Sequence, residues 1–133
     1  MKISIIIPVY NASLTLNECL GAIFDSLFKD FEVIVVSDNS SDNSVEIGKK
    51  YNCKILELKE NRGPSFARNK GAEMAESDIL LFLDSDIILK KNSLSLIVDK
   101  FSSKEINALQ GIYSHETNYR YLATQFYQNY ISY

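Results

Sequence analysis

Cysteine is scarce in this chain: Cys19 and Cys53 stand far apart, with no CxxC or Cys/His spacing around them. That excludes a disulfide scaffold or a zinc-ribbon type of site and leaves two reduced, partly buried thiols. Positive charge is also short. Fourteen Lys and Arg against seventeen Asp and Glu give a net charge of -3, so no basic stripe is available to neutralise a nucleic-acid backbone, and the expected ligand is small. No apolar run is long: the one at Met1 to Tyr10 is broken by Pro8, too short for a secretory signal core or a bilayer span, and a cytoplasmic site of action is expected. Internal repeats, low-complexity tracts and linker-like stretches are missing too. What remains, 133 residues with 46% hydrophobic and 23% charged side chains, suits a globular domain with a real core.

Strand-like and helix-like stretches alternate along the chain, the pattern of an α/β fold. Ile3 to Val9 and Val33 to Val36 are continuous β-branched apolar runs, as expected of parallel strands covered on both faces. Cys53 to Leu58, Ile79 to Leu83 and Ala108 to Tyr113 are further strand candidates. Leu16, Leu20, Ile23, Phe24 and Leu27 share one helical face, with Ser13 or Thr15 as the cap and Glu18 as the capping-box partner of Thr15. Helices are also predicted from about Asp42 to Tyr51, from Pro64 through Ala75, and from Ser93 to Phe101. The expected architecture is a doubly wound, mostly parallel sheet with helices on both faces. Pro8-Val9-Tyr10-Asn11, Ser37-Asp38-Asn39-Ser40 and Asp84-Ser85-Asp86 would then meet at the carboxyl edge, where open α/β sheets bind ligands.

The segment Asp78 to Asp86 carries the most chemistry, because an apolar run ends there in two carboxylates one residue apart. In extended backbone, residues i and i+2 point the same way, so Asp84 and Asp86 would converge on one volume. Converging carboxylates repel unless a cation lies between them, and hard oxygen ligands suit Mg²⁺ or Mn²⁺. The plain alternative is a loop whose aspartates cap the next helix. Tyr10 offers a ring on which a base could stack, or is a packed loop residue. Asp38 is a hydrogen-bond acceptor at a strand end or simply a turn former. Arg68 holds a base or phosphate, or a surface carboxylate.

Four ordered segments carry a more specific likeness: Ile5 to Ser13 (IIIPVYNAS), Val33 to Ser44 (VIVVSDNSSDNS), Asn61 to Gly71 (NRGPSFARNKG) and Ile79 to Asp86 (ILLFLDSD). Together they resemble the nucleotide-sugar half of family 2 glycosyltransferases, over about Lys2 to Leu89. The resemblance implies a GT-A, Rossmann-like fold in which Pro8, Val9 and Tyr10 lie beside the nucleobase and Asp38 hydrogen-bonds the base edge. It further implies that Arg68 contacts base or phosphate and that Asp84 reaches the ribose, or the metal through water. Ser85 would be a donor contact, and Asp86 the direct ligand of a Mn²⁺ or Mg²⁺ bridging the donor's diphosphate. Many members carry two aspartates and a glycine where this chain has Ser37-Asp38-Asn39; Asn39 tolerates the positive φ that glycine would supply.

The implied activity is metal-dependent, inverting transfer of a sugar from a nucleoside diphosphate, UDP favoured, to the hydroxyl of a carbohydrate or lipid-linked acceptor, as in cell-envelope polysaccharide synthesis. The setting would be the cytoplasm or the cytoplasmic face of the membrane. Inversion needs a general base, normally well beyond the DxD motif. Glu116 lies too close to be assigned, and His115 reads as a loop residue. The chain therefore reads as the donor half of a longer enzyme, with a nucleotide-sugar domain over 1–114. Over 115–133, Tyr119, Leu122, Ala123, Phe126, Tyr127, Tyr130 and Ile131 predict an aromatic amphipathic helix. It would pack on its own sheet or dock on an acceptor half, a second copy or a membrane surface. Three rivals stand beside this: a nucleotide-binding module without turnover, a haloacid-dehalogenase-type phosphatase using Asp84 and Asp86, and a nucleotidyltransferase. The phosphatase motif usually opens its domain, and the nucleotidyltransferase loop is rich in glycine and basic residues, which Ile7 to Asn11 is not.

Overall fold

A computed structural model describes residues 1–103, 106–113 and 121–127. Strands β1 (Ile3–Val9), β2 (Phe31–Ser37), β3 (Lys54–Glu57) and β4 (Ile79–Phe82) are linked by helices α1 (Ser13–Phe24), α2 (Ser44–Lys50) and α3 (Pro64–Glu73). The strands form a parallel sheet in the order β3-β2-β1-β4. On one face Ile3, Ile5, Ile7 and Val9 of β1 and Val33 and Val35 of β2 pack with Leu16, Cys19, Leu20 and Ile23 of α1. On the other, Ile6, Ile34 and Val36 meet Ala67 of α3. Burial on both faces is why β1 and β2 read as unbroken apolar runs. Helix α3 lies so close that a methyl group on Gly71 would overlap Ile6 Cγ2.

At the amino ends of the strands, the nearly buried Glu32 accepts hydrogen bonds from Ser4 Oγ (2.5 Å), the Glu76 amide (3.0 Å) and Ser77 Oγ (3.1 Å). Lys54 Nζ lies 2.8 Å from its second oxygen. Burial pushes this carboxyl up, but the lysine and the hydrogen-bond donors outweigh it and hold the pKa at about 2.

Three expectations about local structure change. Thr15 and Glu18 do not form a capping box at the start of α1. The helix begins after Ala12, and the amides of Ala12 and Ser13 donate to Ser44 Oγ (3.0 Å) and Asp42 Oδ2 (2.8 Å), so the neighbouring loop supplies the cap from a distance. Leu27 is not on the buried face: α1 stops at Phe24, and Leu27 is 69% exposed in the following loop. The third correction concerns the predicted aromatic helix. Tyr121–Tyr127 is a strand, β7, in a second sheet of order β5-β7-β6 with β5 (Ile88–Leu89) and β6 (Gln110–Tyr113). β7 runs parallel to β5 and antiparallel to β6. Tyr, Thr and Phe are good strand formers, and pairing with a strand on each side overrides the helical spacing. The rest of 115–133 lies outside the described residues. Helix α4 (Ser93–Ser102) follows β5 and completes the described elements.

Candidate functional site

The chain steps from β1 through β2 to β3 on one side and returns to place β4 on the other, so β1 is the point at which the order of the sheet reverses. Crevices form at the carboxyl ends of the strands at such a point. A backbone detail sets where β1 and β4 part. Lys2 O and Ile6 O accept the amides of Ile79 and Leu83, so the even-numbered residues of β1 direct their peptide groups at β4. Pro8 is next in that series and has no N–H to give. The β1–β4 ladder ends there, and the residues after Leu83 leave the sheet.

Asp84, Ser85 and Asp86 lie in the turn that follows, closed by the Ile87 amide donating to Asp84 O (3.1 Å). The two carboxylates are therefore neighbours on a turn, both exposed, and not i and i+2 positions of an extended strand. Arg68 Nη2 of α3 donates to Asp84 Oδ1 at 2.6 Å. Among the described residues no hydrogen bond or ion pair engages the Asp86 carboxylate. Below the turn, the Cys19 thiol faces Asp84 O at 3.7 Å. Burial pushes its pKa up to about 12, and the charge of Asp86 adds to the shift, so this sulfur is an inert support.

The loops after β1 and β2 form the opposite rim. Asn11 (φ 48°) and Asn39 (φ 61°) turn the backbone through the left-handed region, which asparagine tolerates. The Asn11 amide donates to Ser40 Oγ (3.1 Å), and Asn11 Oδ1 accepts the Ser41 amide (2.8 Å). Asp42 joins the starts of α1 and α2 by accepting the amides of Ser13 and Ser44. Burial raises this carboxyl, but the Ser44 hydroxyl and those amides lower it further, to about 2. Tyr10 is 57% exposed on this rim, as a stacking wall requires. Val9 is different: its side chain is 1% exposed in the core, so it supports the rim and only its carbonyl reaches it, accepting the Asp38 amide at 2.7 Å.

Asp38 is 3% exposed, and its two oxygens accept the amides of Arg62 (2.8 Å) and Gly63 (2.7 Å), just before α3. Sequence reasoning missed these partners, although Gly63-Pro64 marks a helix start and Gly63 adopts φ 88°. A cavity of about 730 Å³ lies along β4 and is lined by Asp84 but by none of Pro8, Tyr10, Asp38 or Arg68. It is therefore a separate hollow beside the acidic turn. His115 and Glu116 lie outside the described residues.

Asp84 and Asp86 are the carboxylates that could contribute to holding a divalent cation. Asp84 and Asp86 offer hard oxygens, one held by a guanidinium and one open. No group of three or more His, Cys, Asp or Glu among the described residues could hold an ion alone. Mg²⁺-type sites of this kind use one or two carboxylates and complete their coordination with water and substrate phosphates.

The glycosyl transferase family 2 model matches residues 4–130. The chain belongs to this family. An uncharacterized glycosyltransferase of Haemophilus influenzae is 38% identical over 97 residues, covering 69% of this chain and 39% of that protein. The poly(ribitol-phosphate) beta-N-acetylglucosaminyltransferase TarS of Staphylococcus aureus is 38% identical over 101 residues, 71% of this chain and 18% of that protein. The crystal structure of TarS residues 1–349 with UDP-GlcNAc superposes with a TM-score of 0.74 at 34% identity, covering 77% of this chain and 32% of that one. A mannosyltransferase from Pyrobaculum calidifontis, in complex with GDP-Man and Mn²⁺, shares the fold with a TM-score of 0.80 at 21% identity over 85% of this chain and 36% of that one. The four-stranded parallel sheet is thus the GT-A arrangement of family 2 enzymes, and this chain spans well under half the length of the relatives it matches.

Proposed function

We propose that this family 2 chain binds the donor of a metal-dependent, inverting glycosyltransferase, with a UDP-sugar favoured. One observation carries the reading: at the carboxyl end of the sheet Arg68 of α3 is bonded to Asp84 in the turn that also carries Asp86, in a chain 34% identical to a structure that holds UDP-GlcNAc. Tyr10 offers its exposed ring to the base. Asp38 keeps acceptor capacity beyond the two amides it already holds, since two carboxylate oxygens accept about four hydrogen bonds, and presents it to the base edge. Arg68 binds phosphate with the arm of its guanidinium that Asp84 leaves free. Asp86, open to solvent, would hold Mn²⁺ or Mg²⁺ directly, with Asp84 and Ser85 beside it. Such an ion, when bound, supplies positive charge to the departing diphosphate.

The acceptor is a hydroxyl of a carbohydrate or lipid-linked carrier, and the relative named for poly(ribitol phosphate) supports a polyol of the cell envelope. The base that inversion requires is assigned to none of the described residues. Cytoplasmic action, free or at the membrane face, completes the proposal. The test is nucleoside diphosphate release by the full-length protein from a panel of UDP- and GDP-sugars with Mn²⁺. Turnover of one donor that falls about a hundredfold or more in Asp86→Ala is expected. Turnover unchanged by that substitution and by EDTA would contradict it.

A further inference from the structure

We propose that Asp38 is a positioning residue that latches the start of α3 and thereby sets Arg68 against the acidic turn, a role separate from any contact with the base. The inference rests on the donor-site reading above for its meaning in binding, but its geometry stands independently. Asp38 is 3% exposed, and each of its oxygens takes one consecutive backbone amide, Arg62 at 2.8 Å and Gly63 at 2.7 Å. A buried carboxylate in that state is fixed, and so are the two peptides it holds. Gly63 is the N-cap of α3, with φ 88°, and Pro64 follows as the first helical residue. The latched peptides therefore determine where α3 begins and how it is rotated.

Two further contacts limit what α3 can do once it is latched. Its far end is pressed on the sheet at Gly71, where the backbone approaches Ile6 too closely for any side chain. Between the two anchor points lies Arg68, whose Nη2 meets Asp84 Oδ1 at 2.6 Å. A helix pinned at both ends presents its middle residue at a set height and angle. The carboxyl end of β2 is thereby coupled to the carboxyl end of β4, across β1, through one helix. Asparagine at position 38 would break this latch, because it can accept one amide but turns an NH₂ group toward the other.

The experiment has an arm that needs no nucleotide. In the unliganded full chain, amide hydrogen exchange at Arg62 and Gly63 should be protected in wild type and faster by about tenfold or more in Asp38→Asn. Unprotected amides in wild type would overturn the proposal, whether or not the protein binds any donor. The second arm measures the affinity of inorganic pyrophosphate with Mn²⁺, which has no base to read. Asp38→Asn should weaken it about tenfold, Arg68→Gln should weaken it as well, and the double variant should be no weaker than Arg68→Gln alone. A loss confined to UDP, with pyrophosphate affinity intact in Asp38→Asn, would reduce Asp38 to a base contact and overturn the latch. If wild type binds neither pyrophosphate nor nucleotide, the donor-site reading fails, and the exchange arm alone decides on the latch.

Discussion

Asp84 and Asp86 are one residue apart, yet they differ in kind, because a guanidinium occupies one and solvent the other. The apolar run before them shows in the sequence that a strand delivers them; the turn does not, because it depends on where β1 can no longer pair. Pro8 supplies that limit, and it could have been found by asking which edge of β1 needs its missing N–H. Glu32 gives no signal in the sequence for a related reason. A lone glutamate at a strand start looks solvated until Ser4, Lys54, Glu76 and Ser77 are folded around it. Its folded pKa of about 2 lies below the ordinary 4.5. The stability it contributes is therefore fully present above about pH 4.5 and is lost as pH falls through about 2. Urea unfolding of wild type should lose of order 3 kcal/mol through this group over that interval, and Glu32→Gln should flatten that part of the profile. Identical slopes in the two proteins would show that Glu32 is not held as described.

At the level of elements, α3 does the most. It covers the second face of the sheet with Ala67, carries Arg68, and comes nearest to β1 at Gly71. Gly71→Ala must push the helix off Ile6, and overpacking of this kind costs roughly 1 to 3 kcal/mol. Thermal unfolding should show that loss, together with weaker nucleotide binding as Arg68 moves away from Asp84. A Gly71→Ala protein as stable as wild type would mean that α3 has slack at this point. The strands β1 to β4 and helices α1 to α4 are legible in the sequence because their signals are local: β-branched runs, apolar spacing, and Pro64 at a helix start. β5, at two residues, is too short to show such a signal. β7 misleads because Leu122, Ala123, Phe126 and Tyr127 satisfy a helical stripe, while the strands that pair with it, the preceding β6 and the more remote β5, leave no mark within its own residues. The capping of α1 by Asp42 and Ser44 is likewise a contact between loops, which a capping-box pattern cannot reveal.

For the molecule as a whole, the parallel sheet brings three separated stretches of chain to one rim, in a chain that belongs to glycosyl transferase family 2. The order of the four motifs made the family readable. The interplay between them, with Asp38 reaching the start of α3 and Arg68 reaching Asp84, became visible only in three dimensions. We propose that this rim is a metal-assisted nucleotide site. Thermal unfolding of the chain with UDP and Mn²⁺, with GDP and Mn²⁺, and with each nucleotide plus EDTA tests it most directly when repeated on Asp86→Ala. Ligand at a hundredfold excess over its Kd adds about 2.7 kcal/mol, a rise in Tm of roughly 10 °C for a domain of this size. That rise is expected with UDP and Mn²⁺, and is expected to vanish with EDTA and in Asp86→Ala. A cooperative transition that no nucleotide moves, or a UDP shift indifferent to both EDTA and the substitution, would contradict it.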